Sequence, residues 1–189
     1  MSKILKILHQ DHINISRLLD LLESQVKFLE ENIQANLQLI RDMVDYIMNY
    51  PDLYHHPLED LVFELLRHKD RDIGPVIDHL LGEHKILTET TICLAGMLGN
   101  IHSDDKEQTR ILADLLQKYV NLSRSHMDIE ESNLFPRAKQ ILTDGDWTEI
   151  EKGFNCKDDP LFGKVIFQQY QSIYDSIVKQ GQGAAPPRV

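Results

Sequence analysis

Imidazoles are the side chains of this sequence best placed to do chemistry. Nine histidines occur in 189 residues, beside six Phe, six Tyr and one Trp. Four of them, His12, His55, His84 and His126, stand at positions where a helical repeat calls for a buried apolar residue. Imidazole can ligate a transition metal or move a proton at neutral pH. His55 and His126 are each followed four residues later by glutamate, Glu59 and Glu130. On a helix, positions i and i+4 share one face about a turn apart, so each pair can reach one metal centre. A mixed imidazole and carboxylate set suits Fe, Mn or Zn and does not suit Ca or Mg, which take all-oxygen shells. Buried without a metal, four histidines and two glutamates would be costly; metal charge makes such a layer tolerable.

The elements that must position these side chains are helices. Ile4, Leu8, His12, Ile15, Leu19, Leu22, Val26 and Leu29 form a stripe at alternating three- and four-residue spacing, the pattern of an amphipathic helix. A second stripe runs Leu37, Ile40, Val44, Ile47 and resumes at His55, Leu58, Val62 and Leu65. A third runs from Ile73 through His84 to Ile101, and a fourth from Leu112 through His126 to Asn133. Strand signals are absent. Breaks fall at Glu30-Glu31-Asn32, at 68–72 before Gly74-Pro75, and at 102–105, where a Ser or Asp can cap the next helix. Such short connections predict an all-α fold, an up-down-up-down four-helix bundle over residues 1–142 with a short C-terminal helical extension at 143–180. Within the extension, Thr143–Asp146 reads as a turn and Leu161–Lys179 as a last helix packed on the bundle. Residues 181–189, rich in Gly and Pro, read as a disordered tail.

Helix geometry also sets the histidines' heights. They are separated by 43, 29 and 42 residues, with midpoints near 33.5, 69.5 and 105, inside the three turns. In an antiparallel bundle, residues equidistant from a turn lie at one level, so the four imidazoles should meet in one layer of the core. Two prolines complicate this. Pro51 and Pro57 interrupt the second helix and predict a break between Tyr50 and Pro57. If a new helix begins at Pro57, His55 precedes it and His56 could turn inward instead. Pro136 should kink or shorten the fourth helix in the same way.

The other histidines read as outside the layer. His68 and His102 fall in turns, His56 lies off the stripe, His9 reads as surface, and His79 is left out of the site. Tyr54 and Tyr119 read as core packing, and Asp60 and Glu131 as solvated or outer carboxylates. Gly96-x-x-Gly99 follows no strand, which argues against phosphate binding.

Composition narrows the function classes. Thirty acidic against twenty basic side chains give a net charge of −10, and no Lys/Arg cluster offers itself to nucleic acid. No apolar run is long enough to span a membrane, and the polar N-terminus is not a secretory signal. Cys93 and Cys156 make no disulfide framework. A cytoplasmic protein is the expectation.

The segments His55-His56-Pro57-Leu58-Glu59-Asp60, Glu83-His84 and His126-Met127-Asp128-Ile129-Glu130-Glu131, the last continuing to Leu134-Phe135-Pro136, together resemble the hemerythrin-like, HHE cation-binding domains. The resemblance covers about the first 142 residues. It implies a four-helix bundle around a non-haem di-iron centre bridged by two carboxylates, with His12, His55, Glu59, His84, His126 and Glu130 as ligands. Oxygen-carrying hemerythrins have a second ligand histidine four residues before the one matching His84, where this chain has Leu80. They also place an Asp five residues after the last ligand His, where this chain has Glu131, with Glu130 at i+4. The set is therefore closer to the four-His, two-Glu sites of di-iron repair proteins and iron-sensing hemerythrin domains. The expected role is binding or sensing of O2 or another small redox ligand, NO or peroxide. Two alternatives stand beside it: a di-iron enzyme or repair factor, and a binding module with a purely structural metal. Residues 143–179 are the expected place for a partner or homodimer contact.

Overall fold

The computed structural model of the chain describes residues 2–31, 35–101, 105–155 and 157–181. The expected breaks at Asn32 and His102–Asp104, Cys156, and the expected tail beyond Gly181 lie outside the described residues. Among the described residues there is no strand, and the fold is an all-α bundle. The helices are α1 (Lys3–Glu30), α2 (Leu37–Asn49), α3 (His56–Lys69), α4 (Gly74–Asn100), α5 (Lys106–Ile129), α6 (Phe135–Ile141), α7 (Asp144–Gly153) and α8 (Gln171–Lys179). Their starts follow from local chemistry. The side chains of Ser2, Asn36 and Asp105 accept hydrogen bonds from backbone N–H groups of the first turns of α1, α2 and α5, satisfying donors that no helix can pair internally. Pro75 sits in the first turn of α4, where its missing N–H costs nothing.

Helix α1 packs on α2 and α5, α2 on α4, and α4 on α5, so the four long segments close a ring. Two apolar clusters fill it. One joins Leu19, Leu22 and Val26 of α1 to Ile40 and Val44 of α2, Leu94 of α4 and Leu112 and Leu116 of α5. The other joins Ile4, Leu5 and Leu8 to Val62 and Leu66 of α3, Ile77 and Leu80 of α4, and Leu134 and Ala138. His12 lies in α1 between the residues of these two clusters.

The prolines act through wide helical turns. Residues Pro51–His55 form a π-helical turn between α2 and α3, with the His55 N–H reaching back five residues to the Tyr50 carbonyl and the His56 N–H to Pro51. A second π turn, Glu130–Leu134, joins α5 to α6, with the Phe135 N–H bonding to the Glu130 carbonyl. Pro57 and Pro136 each sit two residues past such a turn. A proline cannot donate to the carbonyl four residues back, so the ladder ahead of it widens without losing a further bond.

The extension differs from the sequence reading in two places. Thr143 is the N-cap of α7, with Asp146 completing a capping box, so this segment starts a helix. The last helix begins at Gln171 and not at Leu161. Residues 159–163 instead wrap on themselves: Asp159 Oδ1 accepts from the Leu161 and Phe162 N–H groups, and the Gly163 N–H donates to the Asp159 carbonyl. Leu161, Phe162, Tyr170, Ile173 and Ile177 are buried in the first apolar cluster, so the extension completes the core beside α1 and α2. A Cβ at Gly163 would collide with the Asp159 carbonyl, a backbone atom that cannot rotate away. Gly163→Ala should therefore cost about 1–3 kcal/mol, read as a lower midpoint in urea denaturation.

Candidate metal centre

The four stripe histidines and two glutamates come together, and a fifth imidazole joins them. His12 and His55 rings are 5.0 Å apart, and His84 and His126 are 4.7 Å apart. His56 stacks on His84 at 4.5 Å between ring centroids, with 20° between planes. All five are buried, and Glu59 and Glu130 are wholly inaccessible to solvent. The i,i+4 relations survive Pro57: His55 Nε2 is 3.2 Å from Glu59 Oε1, and His126 Nε2 is 3.1 Å from Glu130 Oε1.

Each carboxylate divides its oxygens between two groups of imidazoles. Glu59 Oε1 lies 3.1 Å from His12 Nε2, and Oε2 lies 3.4 Å from His84 Nε2. Glu130 Oε2 lies 3.3 Å from His12 Nε2, while Oε1 serves His126 and stands 3.8 Å from His84. Taking one ligand atom per residue, His56, Glu59, His84 and His126 lie within 4.8 Å of one another, and His12, His55 and Glu59 form a second such group. Glu59 is common to both.

The other ring nitrogens are held from outside the layer. Carboxylates cannot donate, so each Nδ1 facing one carries the proton. His12 Nδ1 donates to Glu131 at 2.9 Å, His84 Nδ1 to Asp60 at 2.7 Å, His126 Nδ1 to Glu83 at 2.9 Å and His55 Nδ1 to Asp11 at 3.4 Å. This turns the four Nε2 atoms inward, towards Glu59 and Glu130. His56 differs: its Nδ1 stands 3.4 Å from Asp52 without a hydrogen bond. Orienting carboxylates of this kind fix the tautomer and raise ligand basicity. Asp60→Asn should weaken metal binding roughly 10–100-fold, measured by competition with a chelator.

These residues fit a metal. Among the described residues, Glu59 Oε2, both Glu130 oxygens, His84 Nε2 and His126 Nε2 are buried without a hydrogen-bond partner. Buried polar atoms without partners are costly and rare. Here they converge on shared points, with geometry poor for bonding one another and suited to donating to cations between them.

Without metal the layer stores charge. Burial opposes protonation of His84, yet Asp60, Glu130 and Glu59 together push its pKa up to about 11. Burial likewise opposes charge on His12, and the carboxylates of Glu130, Glu131 and Glu59 against its ring override it, raising the pKa well above the usual histidine value. Burial and the Glu59 charge work against ionising Glu130, but three imidazoles hold its carboxyl well below the carboxylate range. His56 goes the other way, its pKa lowered by burial against a weaker pull from Asp52.

The whole-chain comparison decides the family. The family model for the hemerythrin HHE cation-binding domain matches residues 3–138. The chain belongs to that family. No curated protein and no solved structure matches it. In this HHE domain the matched segment holds every residue of the layer, and α7 and α8 fall outside it.

Sequence reasoning placed His56 off the helical stripe and offered it only as an alternative to His55, not beside it. The signal was Pro57: the wide turn it permits brings both His55 and His56 inward. The fifth imidazole thus comes from a different helix than the one bearing Leu80, which is buried in the apolar cluster. His79 and His68 are exposed, and His9 is half-exposed, sharing Glu131 with His12. His102 lies outside the described residues. Asp60 and Glu131 are outer carboxylates, as expected; Glu83 and Asp11 join them, neither marked by stripe position.

Proposed function

We propose that this HHE domain binds two iron ions in the histidine layer and uses them to bind or sense a small redox ligand, O2, NO or peroxide. The carrying observation is the pair of wholly buried glutamates, each offering its two oxygens to different imidazoles. His12 and His55 would hold one ion, His56, His84 and His126 the other, with Glu59 and Glu130 shared. Bound there, the ions supply electrons and a coordination position for the ligand. The chain's own residues set the rest. Asp11, Asp60, Glu83 and Glu131 hold the Nδ1 protons and so turn each Nε2 inward, where it can ligate once its own proton is displaced. Phe135, stacked 5.3 Å from His12, and Phe63, 5.9 Å from His84, screen the layer from water. Two clefts reach it: one of about 420 Å³ lined in part by His56, Asp60 and His84, and one of about 480 Å³ lined in part by His12, Glu131 and Arg124. A small ligand can approach through either.

Five imidazoles against two carboxylates favour ligand binding over a more open reactive site, which places the enzyme or repair reading second. The test is anaerobic Fe(II) addition, metal analysis and an absorption spectrum before and after air. Two irons per chain with new charge-transfer bands are expected; no retained metal would refute the reading. A spectrum that returns on degassing favours binding, and turnover of peroxide or NO favours the enzyme.

A further inference from the structure

Among the described residues, His56 is the imidazole of the layer that no hydrogen bond to a carboxylate holds. Its Nδ1 lies 3.4 Å from Asp52 Oδ1, and both atoms are buried without a hydrogen-bond partner. The Asp52 side chain is only 6% exposed, so bulk water does not pair it either. Buried polar atoms in this state are costly and rare, and the same state marks the inward atoms of Glu59, Glu130, His84 and His126. The spacing fits a shared ion: a transition-metal cation about 2.1 Å from each of two ligands holds them about 3.0–3.4 Å apart.

Asp52 and His56 both line the cleft of about 420 Å³ that reaches the layer at His84. Asp60 and the exposed Glu89 line it too, so three carboxylates stand there against one ammonium, that of Lys85. Such a lining raises the local concentration of cations. The other cleft has less to offer them: it carries the Arg124 guanidinium, and its Glu131 is already bonded to His9 and His12.

We propose that Asp52 and His56 form an entry site, where a divalent cation such as Fe(II) gives up part of its hydration shell before it passes into the layer. The inference rests on the proposed metal centre. One imidazole and one carboxylate suit Fe(II) by donor type, and two protein ligands leave the remaining positions to water. Such a site holds a cation loosely enough to release it. His56 belongs both to this pair and to the group it forms with Glu59, His84 and His126. A cation therefore passes from Asp52 to Glu59 across a residue common to both, without returning to open solvent. A ring held by hydrogen bonds as the other four are would serve the layer alone.

The test mixes the metal-free full chain with Fe(II) under anaerobic conditions and reads unbound iron at timed intervals with a chelating dye. Excess dye then draws iron out of the loaded chain, which gives the release rate. A site on the path eases passage both ways, so Asp52→Asn should slow uptake and release by the same factor, about tenfold. Glu89→Gln should slow uptake about threefold at low salt and leave it unchanged at high salt, where the cleft's charge is screened. Asp128→Asn, in the other cleft, should load at the wild-type rate. Asp52→Asn that takes up iron as fast as wild type overturns the entry site; if it also releases iron faster, Asp52 only orients His56. Glu89→Gln at the wild-type rate in low salt overturns it too. Wild type that retains no iron overturns the metal centre itself, and the entry site with it.

Discussion

Glu59→Gln should lose both metal ions, with affinity falling more than 100-fold, since altering even an outer partner of a ligand costs 10–100-fold. Glu59 is the residue common to the two groups of potential ligands. Its amide replacement keeps the shape but can offer only one oxygen. His56→Ala makes the contrast: His56 belongs to one group only, so stoichiometry should fall from two ions to one. The glutamine variant should also be less stable without metal. It leaves the imidazoles that raise their pKa against Glu59 with a buried positive charge uncompensated. Breaking a buried pair in this way costs about 3 kcal/mol, or roughly 6–12 °C in Tm for a chain of this size. Metal analysis and thermal unfolding of chelator-treated protein read the two effects separately. Two ions retained by Glu59→Gln would show that the metals, if bound, lie elsewhere.

The metal-free and metal-loaded forms should respond to pH in opposite directions. In the metal-free protein His84 titrates at about 11 against 6.5 in an unfolded chain. Its contribution to stability is therefore complete below pH 6.5 and disappears as pH rises towards 11. Glu130, held below its usual range, contributes above pH 4.5 and loses that contribution as pH falls further. Metal reverses the alkaline limb, because ligation needs the neutral imidazole. Loading at pH 7 must expel the protons held by His12, His84 and His126, whose pKa values are all raised. Each proton expelled makes apparent affinity rise about tenfold per pH unit. The Tm gap between loaded and free protein should widen from pH 6 to 9, and a pH indicator in weak buffer should report acid on loading. His56, with its lowered pKa, should contribute no proton. Loading without acid release would mean that the inward nitrogens carry no protons in the free protein.

Beyond the histidine layer, no helix among the described residues is long and apolar enough to cross a membrane. Cys93 is free and exposed.

Periodicity alone was enough to bring His12, His55, His84 and His126 to one level. The 3.6-residue repeat and the positions of short turns constrain height along a bundle, whatever the side-chain packing. The same repeat aligned Glu59 and Glu130 with their histidines. It could not see His56, because a stripe assumes an unbroken α-helix, and the π turn at 51–55 shifts the register by a residue. Nor could it assign Asp11, Asp60, Glu83 and Glu131 to their imidazoles: those pairs join residues 24 to 119 positions apart on different helices. The course of 159–170 was equally hidden, since Asp159 bonds its own backbone there in place of a helical turn. Local spacing thus determined which residues share a face and a height. Which of two adjacent histidines points inward, and which carboxylate holds each ring, depended on helices packing against one another, because only packing brings those distant charges within bonding distance.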